Sequence, residues 1–370
     1  MRAALALPIL AVPAKAGAAQ VGEMGFTLLG YKEQGLMKVV EPVLWGRAEF
    51  AEVWEVRASA LVDIISGASP QLVSNRTGTP MQTLTGASIE EHRAAGDVKV
   101  TRRFGDFHIS ASGAFSDEHD YRSRAFGLEA RGDFNERNTT LIAGYGRSDD
   151  RVGSHDNPAL DEPRKTDEYL AGLTQVISPT ALVQTTLNFS RGRGYYNDPY
   201  KLTFTFFDTG PPIVVADTRP DHRNSLAWLT RYRQHFPAAA GTLQVDYRFY
   251  RDDWGIRAHT LEAGWQQQLG EHWALRPALR YYTQSAADFY SAVVPTRPPP
   301  EVLSSDQRLS AFGGLSPSLR AIYRFDNGVT TEGTVGYIRN ASSLRLGGSG
   351  NPYFETLRAA YVIIGITYPF

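Results

Sequence analysis

The sequence predicts an all-β fold, a transmembrane antiparallel up-and-down β-barrel of about fourteen strands within a range of twelve to sixteen. Three observations lead there. The chain ends on Tyr361 to Phe370, where Val362, Ile364, Ile366, Tyr368 and Phe370 share one parity and therefore one face of a strand. Alternating segments are joined by connections that are short and long by turns, so loop length sorts by side, as in single-chain outer-membrane barrels. The chain carries 18 Tyr, 18 Phe and 6 Trp, yet no stretch after residue 19 reaches the roughly 18 consecutive apolar residues of a helical span.

Residues 1–19 read as a secretory signal. Arg2 precedes an apolar run from Ala3 to Val12, and Ala16-Gly17-Ala18-Ala19 supplies small residues for cleavage after Ala18 or Ala19. That run is too short to cross a bilayer as a helix. With no cysteine in the chain, disulfides and thiolate metal sites are excluded. A net charge of −1 gives no electrostatic footprint for nucleic acid.

Residues 20–50 read as an irregular N-terminal segment, either a plug in the lumen or a periplasmic tail, because Gly22, Gly25, Gly30, Gly35 and Pro42 break any period. The barrel is expected over 51–370. Its first strand, Ala51 to Ser66, leads into a long polar loop, Gly67 to Ala95. Gly96 to Phe104 meets a Gly105-Asp106 hairpin turn, then Phe107 to Phe115 alternates cleanly. An acidic turn at Asp117 to Asp120 gives Tyr121 to Asp133, and a short connection gives Thr139 to Asp149. After the loop Asp150 to Lys165 come Thr166 to Ile177 and Ala181 to Tyr195, joined at Ser178-Pro179-Thr180. A long excursion, Tyr196 to Arg223, holds an apolar hairpin-like middle at Leu202 to Phe207 and Ile213 to Val215. Four strands follow in close order: Asn224 to Phe236, Gly241 to Arg251, Ile256 to Leu269 and Trp273 to Ala286. The Pro-rich loop Ala287 to Ser305 precedes Asp306 to Phe325. Asp326-Asn327-Gly328 is a strong turn into Val329 to Asn340, and the Gly/Ser loop Ala341 to Pro352 precedes Tyr353 to Phe370. Closing so large a sheet also removes edges that an open one would have to protect.

Six stretches, read together, carry a resemblance. They are Asp63 to Ser69 (DIISGAS), Ser116 to Ser123 (SDEHDYRS), Asp198 to Lys201 (DPYK), Tyr247 to Trp254 (YRFYRDDW), Arg280 to Tyr290 (RYYTQSAADFY) and Ser304 to Ser310 (SSDQRLS). The chain resembles, over nearly its whole mature length, the bacterial family called domain of unknown function 3570, predicted outer-membrane barrels. The resemblance implies architecture and an outer-membrane location in a Gram-negative bacterium. It carries over no activity and no catalytic residue. The terminal strand likewise resembles the C-terminal signal read by the barrel-assembly machinery, here Phe370, Tyr368 and Ile366.

The candidate chemistry is luminal. On the eighth to twelfth predicted strands the apolar parity faces lipid, which turns Arg231, Arg233, Arg248, Arg276, Arg280, Arg320 and Arg324 inward with Asp246 and Glu262. Rings of Arg or Lys are how pores select anions or phosphates. The plainer reading is that these side chains pair with Asp246, Glu262 and the N-terminal carboxylates Glu33 and Glu41 and fill the lumen. At external turns, Asp117, Glu118, Asp120, Asp252 and Asp253 are hard-cation ligand types that external calcium could use, although Asp also favours tight turns for its own sake. His259 has no Ser of matching parity and height beside it for a lipase-like pair, and the eight His show no paired ligand spacing. Tyr247, Phe249, Trp265, Trp273, Tyr281 and Tyr368 fall on the outward parity as interfacial aromatics.

The functional expectation is a non-enzymatic channel or transporter for a small solute, with anions the class that the arginines favour. Its partners are outer-membrane lipid and lipopolysaccharide. A scaffold for a periplasmic or surface partner, a transporter of hydrophobic compounds and, last, an outer-membrane enzyme are the competing classes.

Overall fold

A computed structural model describes residues 21–67, 70–74, 81–84, 89–205, 213–292 and 300–370. In chain order the strands are β1 (Val21–Glu33), β2 (Met37–Phe50), β3 (Trp54–Gly67), β4 (Pro70–Ser74), β5 (Met81–Leu84), β6 (Ile89–Phe104), β7 (Phe107–Asp117), β8 (Tyr121–Phe134), β9 (Thr139–Val152), β10 (Glu162–Ser178), β11 (Ala181–Gly194), β12 (Leu202–Thr205), β13 (Ile213–Ala216), β14 (His222–Phe236), β15 (Gly241–Asp252), β16 (Arg257–Leu269), β17 (Trp273–Gln284), β18 (Phe312–Arg324), β19 (Thr330–Ala341) and β20 (Leu357–Pro369). Sixteen of them close into one antiparallel barrel, while β13-β12-β4-β5 form a separate four-stranded sheet.

Every barrel strand has two hydrogen-bonded neighbours, so no edge is left open. Closure is made by β1 against β20, in register from Glu23↔Pro369 to Glu33↔Ala359. Beyond that ladder, Gly22 and Phe370 exchange backbone bonds of 2.8 Å each. The apolar parity points out: Phe26, Phe126, Leu128, Leu187, Trp228, Leu319, Val335, Ile364 and Ile366 are exposed. The expected outward face of the last strand is therefore present, with Tyr368 and Phe370 continuing it.

The count is sixteen rather than fourteen because the segment 20–50 is neither plug nor tail. From Val21 it forms β1 and β2, the two strands that complete the wall. Its glycines are not breakers. A Cβ on Gly25 would stand 2.4 Å from the Trp45 ring, and one on Gly22 would stand 2.3 Å from the Phe370 ring. These residues make room for aromatic rings of neighbouring strands. Gly35, with φ +77°, turns β1 into β2. Pro42 sits opposite Leu28 of β1, and the β2–β3 ladder skips residues 41 and 42, so the donor that Pro lacks falls at a local gap in that ladder. The segment read as a signal, 1–19, lies outside the described residues.

Loop lengths sort by end, as expected. One end carries the short turns after β2, β6, β8, β10, β14, β16 and β18. The other carries the long connections 68–88, 195–221, 285–311 and 342–356, together with shorter ones after β1, β7, β9 and β15. The polar loop expected over 67–95 is shorter, because β6 begins at Ile89. The apolar stretches expected at 202–207 and 213–215 contribute strands β12 and β13, and β12 pairs in parallel with β4 of the first long connection. Residues 206 and 207 lie outside the description, as do those of the first long connection between 75 and 80 and between 85 and 88.

Candidate functional site

Inside the long-loop end lies a cavity of about 780 Å³. Its lining includes Arg164, Arg219, Arg223, Arg248 and Arg308 with Tyr121, Tyr196, Tyr200, Tyr250 and Tyr282. The barrel wall supplies Arg164, Arg223, Arg248, Tyr121, Tyr250 and Tyr282 from strand positions of inward parity. Alternation dictates this, because each wall residue lies one position from an outward-facing neighbour. The loops 195–221 and 285–311 supply the rest.

Those two loops are locked over the cavity. Thr218 and Leu303 exchange backbone hydrogen bonds of 2.9 Å. The Thr203 hydroxyl donates to Ser305 Oγ at 3.2 Å, which donates to the Leu202 carbonyl at 3.2 Å. Arg219 Nε donates to Asp217 Oδ2 at 2.6 Å, and its Nη2 reaches Asp306 at 3.1 Å. Arg308 binds Asp306 through both backbone N–H and guanidinium, and its Nη2 reaches Asp198 Oδ2 at 2.5 Å. Asp306 is 5% exposed and Asp217 is 2% exposed, so the network sits where charge is tolerated only when paired. Gln284 of β17 ties this lock to the wall by donating to the carbonyls of Arg308 and Ser310 at 2.9 and 2.7 Å. Trp254, Ile256, Ala287 and Leu309 form a small apolar core beside it. A third loop, 342–356, joins through Asn351, whose amide donates to Tyr290 Oη at 2.8 Å.

Electrostatics follow from this packing. Burial works to raise the Asp306 carboxyl, but Arg308, Lys201 and Arg219 outweigh it and hold the group at about 2. Arg308, surrounded by protein yet with its side chain open to the solvent of the mouth, is pushed up in turn: the surrounding protein opposes the charge, and Asp306 and Asp198 more than compensate. Burial, then the Asp120 carboxylate, pushes the Tyr200 phenol up to about 12. Burial does the same at Tyr290. Both phenols are therefore protonated at any ordinary pH; Tyr200 donates to Asp120, and Tyr290 accepts from Asn351.

All seven predicted arginines sit on the β14–β18 wall with inward parity, as do Asp246 and Glu262. They are not one site. Arg231 and Arg233 share Asp246. Arg276 and Arg320 face each other across β17 and β18, and each turns to a separate carboxylate, Glu262 at 2.9 Å and Glu332. Arg248, Arg280 and Arg324 have no ion-pair partner among the described residues. Of the seven, Arg248 is the one that lines the cavity, with its guanidinium 5.2 Å from the Tyr250 ring centroid. The N-terminal carboxylates do not reach this wall. Glu33 takes the Tyr31 phenol at 3.5 Å, and Glu41 shares a hydrogen bond with Asp63.

The acidic turns do not assemble as a calcium site. Among the described residues no three His, Asp or Glu side chains converge as a metal requires. Asp252 is consumed by Arg223 at 2.6 Å, Tyr250 at 3.0 Å and the Ile256 N–H at 2.9 Å. Asp253 takes both Asn224 donors, at 3.0 and 2.7 Å. Asp120 accepts from Tyr200, and Glu118 lies 3.5 Å from Arg93, while Asp117 ends β7. His259 stands outside, 2.8 Å from the Tyr247 hydroxyl.

Inward parity on the wall β14–β18 does not point to Arg164, Arg219 or Arg308; Arg223 has that parity but precedes the strand expected from Asn224, and all four line the cavity. The signal that finds part of this site is the set of stretches quoted above. DPYK, YRFYRDDW, RYYTQSAADFY and SSDQRLS place Asp198, Tyr250, Tyr282, Gln284, Asp306 and Arg308 around one volume. SDEHDYRS adds Glu118, Asp120 and Tyr121.

The sequence profile of the family described as "Protein of unknown function (DUF3570)" matches residues 1–360. Among solved structures, a bacterial polysaccharide outer membrane secretin aligns with a TM-score of 0.54 at 9% identity, over 95% of this chain and 99% of that one. CdiB from Acinetobacter baumannii aligns with a TM-score of 0.55 at 8% identity, over 94% of this chain and 60% of its own. At such identities the likeness is one of fold, that of outer-membrane barrels. No curated protein matches the sequence.

Proposed function

We propose that this chain, which belongs to the DUF3570 family of proteins of unknown function, is an outer-membrane channel for a small anionic solute, closed at its outer mouth by its own long loops. The short turns face the periplasm and the loops 68–88, 195–221, 285–311 and 342–356 face outside, the usual sense for such barrels. The carrying observation is the arginine- and tyrosine-lined cavity of about 780 Å³ beneath the loop lock.

The remaining chemistry supports an anion. Arginine does not discharge at working pH, so Arg248 keeps its positive field in a confined space. The Tyr250 and Tyr282 phenols line the same space, with their protons held by Asp252 and Gln284, so Arg248 is the cation that this wall leaves unpaired there among the described residues. Below, Arg280 and Arg324 stand on the same wall without carboxylate partners among the described residues, which gives an anion successive weak stations; conduction needs binding strong enough to enter and weak enough to leave. Passage requires the Asp306-centred lock to part. Nothing in this scheme calls for catalysis or a cofactor. Lipid surrounds the barrel, and the C-terminal strand ending at Phe370 is its address for the assembly machinery.

Reconstitution in planar bilayers tests the reading. Purified, heat-modifiable barrel should give stepwise currents that a small dicarboxylate or phosphate blocks at millimolar concentration. A folded barrel that passes no current under any applied potential contradicts it.

A further inference from the structure

On the outer face of β8 to β11, at the long-loop end, the register sets two charged rows above a row of rings. The upper row runs Arg124↔Asp149, Asp149↔Lys165, Lys165↔Arg193; the lower runs Phe126↔Arg147, Arg147↔Asp167, Asp167↔Arg191. Below them stand Tyr145, Tyr169 and Phe189, with ring centroids 5.4 and 6.2 Å apart. Such a ring row marks the level at which an apolar band gives way to headgroups.

Charge in the two rows does not balance. Arg147 lies 3.7 Å from Asp149 and 3.5 Å from Asp167, and Lys165 lies 3.9 Å from Asp149. Those two acids thus serve Arg147 and Lys165, and Arg124, Arg191 and Arg193 have no ion pair among the described residues. Lys165 and Arg193 stand directly opposite each other, an arrangement that destabilises a sheet unless an anion lies between them. A shallow concavity of about 430 Å³ opens at this spot, lined by Arg147, Lys165, Asp167, Arg191 and Arg193 among others. These cations face away from the lumen and play no part in passage.

We infer that this patch is a docking site for the phosphorylated headgroup of an outer-leaflet glycolipid, lipopolysaccharide, seated with its acyl chains against the apolar band below. Guanidinium forks match phosphate oxygens in pairs, and the position of the patch just above the ring row suits a headgroup and not a soluble ligand. The inference rests on the outer-membrane reading.

The test uses the whole barrel in neutral detergent. Heat-modifiable gel migration first establishes folding for the wild type and for Lys165→Gln/Arg193→Gln. Binding is then measured with purified lipopolysaccharide, the same lipid after phosphatase treatment, and inorganic phosphate. Each basic side chain facing an anionic lipid surface is worth about fivefold in binding, so the double variant should bind lipopolysaccharide roughly 25-fold more weakly, while its conductance stays that of the wild type. The phosphatase-treated lipid should lose affinity for the wild type to the same extent. Equal binding by the folded variant, or equal binding of the dephosphorylated lipid, overturns the site and leaves the barrel reading intact. Binding of inorganic phosphate alone as strong as that of the lipid overturns the choice of a lipid. A wild type that gives no heat-modifiable form overturns the site and the membrane reading together.

Discussion

Replacing Asp306 with Asn should open the barrel. Arg219 and Arg308 converge on Asp306 and Asp198, and Asp306 is the more buried of the two acids. Asn keeps the shape and can still accept from the Arg308 N–H, so the substitution removes charge and little else. Removing one member of a buried pair costs about 3–5 kcal/mol. Arg219 is 11% exposed and carries most of that. The Arg308 side chain is 65% exposed, so its share falls toward the surface value of at most about 1 kcal/mol. Some of the loss returns through Asp198 and Asp217, which remain beside the two guanidiniums, leaving about 2–3 kcal/mol against the closed loops. If the loops exchange between closed and open, the equilibrium shifts about 30- to 150-fold toward open. Single-channel recording reads this directly as the fraction of time spent conducting. An open fraction within about twofold of wild type, from a barrel whose heat-modifiable migration is unchanged, refutes the lock.

The same carboxylate sets a pH window: because its folded value is held at about 2, below the ordinary value near 4, its contribution is complete above about pH 4 and vanishes as pH falls through about 2. Conductance should therefore be flat from about pH 7 to 4 and rise below about 3, and a rise already at about pH 5 assigns gating to another group. Deleting Phe370, whose backbone pairs with Gly22 at 2.8 Å in both directions, should lower the yield of assembled barrel in outer-membrane fractions, read by heat-modifiable migration. Gly25→Val puts side-chain atoms where Trp45 now lies, since a Cβ at that position would stand 2.4 Å from the ring; the change should cost about 1–3 kcal/mol, read from denaturant midpoints. An epitope inserted at Gly348, in the exposed 342–356 loop, should be labelled on intact cells, whereas one at Asn327 should need permeabilised cells; the reverse pattern overturns the orientation.

What is legible in the sequence, and what is not, follows from the range of each interaction. Period-two alternation is local, so β7, β11, β15 and β20 can be read residue by residue. The pairing of Gly25 with Trp45 is not local in that sense: a glycine that makes room for a ring on the next strand looks like a breaker until the neighbour is known, and β1 and β2 stay hidden for that reason. Inward parity places Arg248, Arg280 and Arg320 correctly, but parity alone does not say which acid lies within reach across a barrel. Glu332 takes Arg320 because of the β18–β19 register, which no spacing reveals. The lock is longer-ranged still. Asp198 and Arg308 lie 110 positions apart and Thr203 and Ser305 lie 102 apart; they meet because two irregular loops fold over one mouth.

The most direct test of the central claim is the reversal potential of the purified barrel under a salt gradient, for wild type and for Arg248→Glu with Arg280→Glu. The account predicts a potential of the sign set by anions in the wild type, moving toward or through zero in the double variant. A potential of the cation sign in the wild type, or one that the two charge reversals leave in place in a folded barrel, would contradict it.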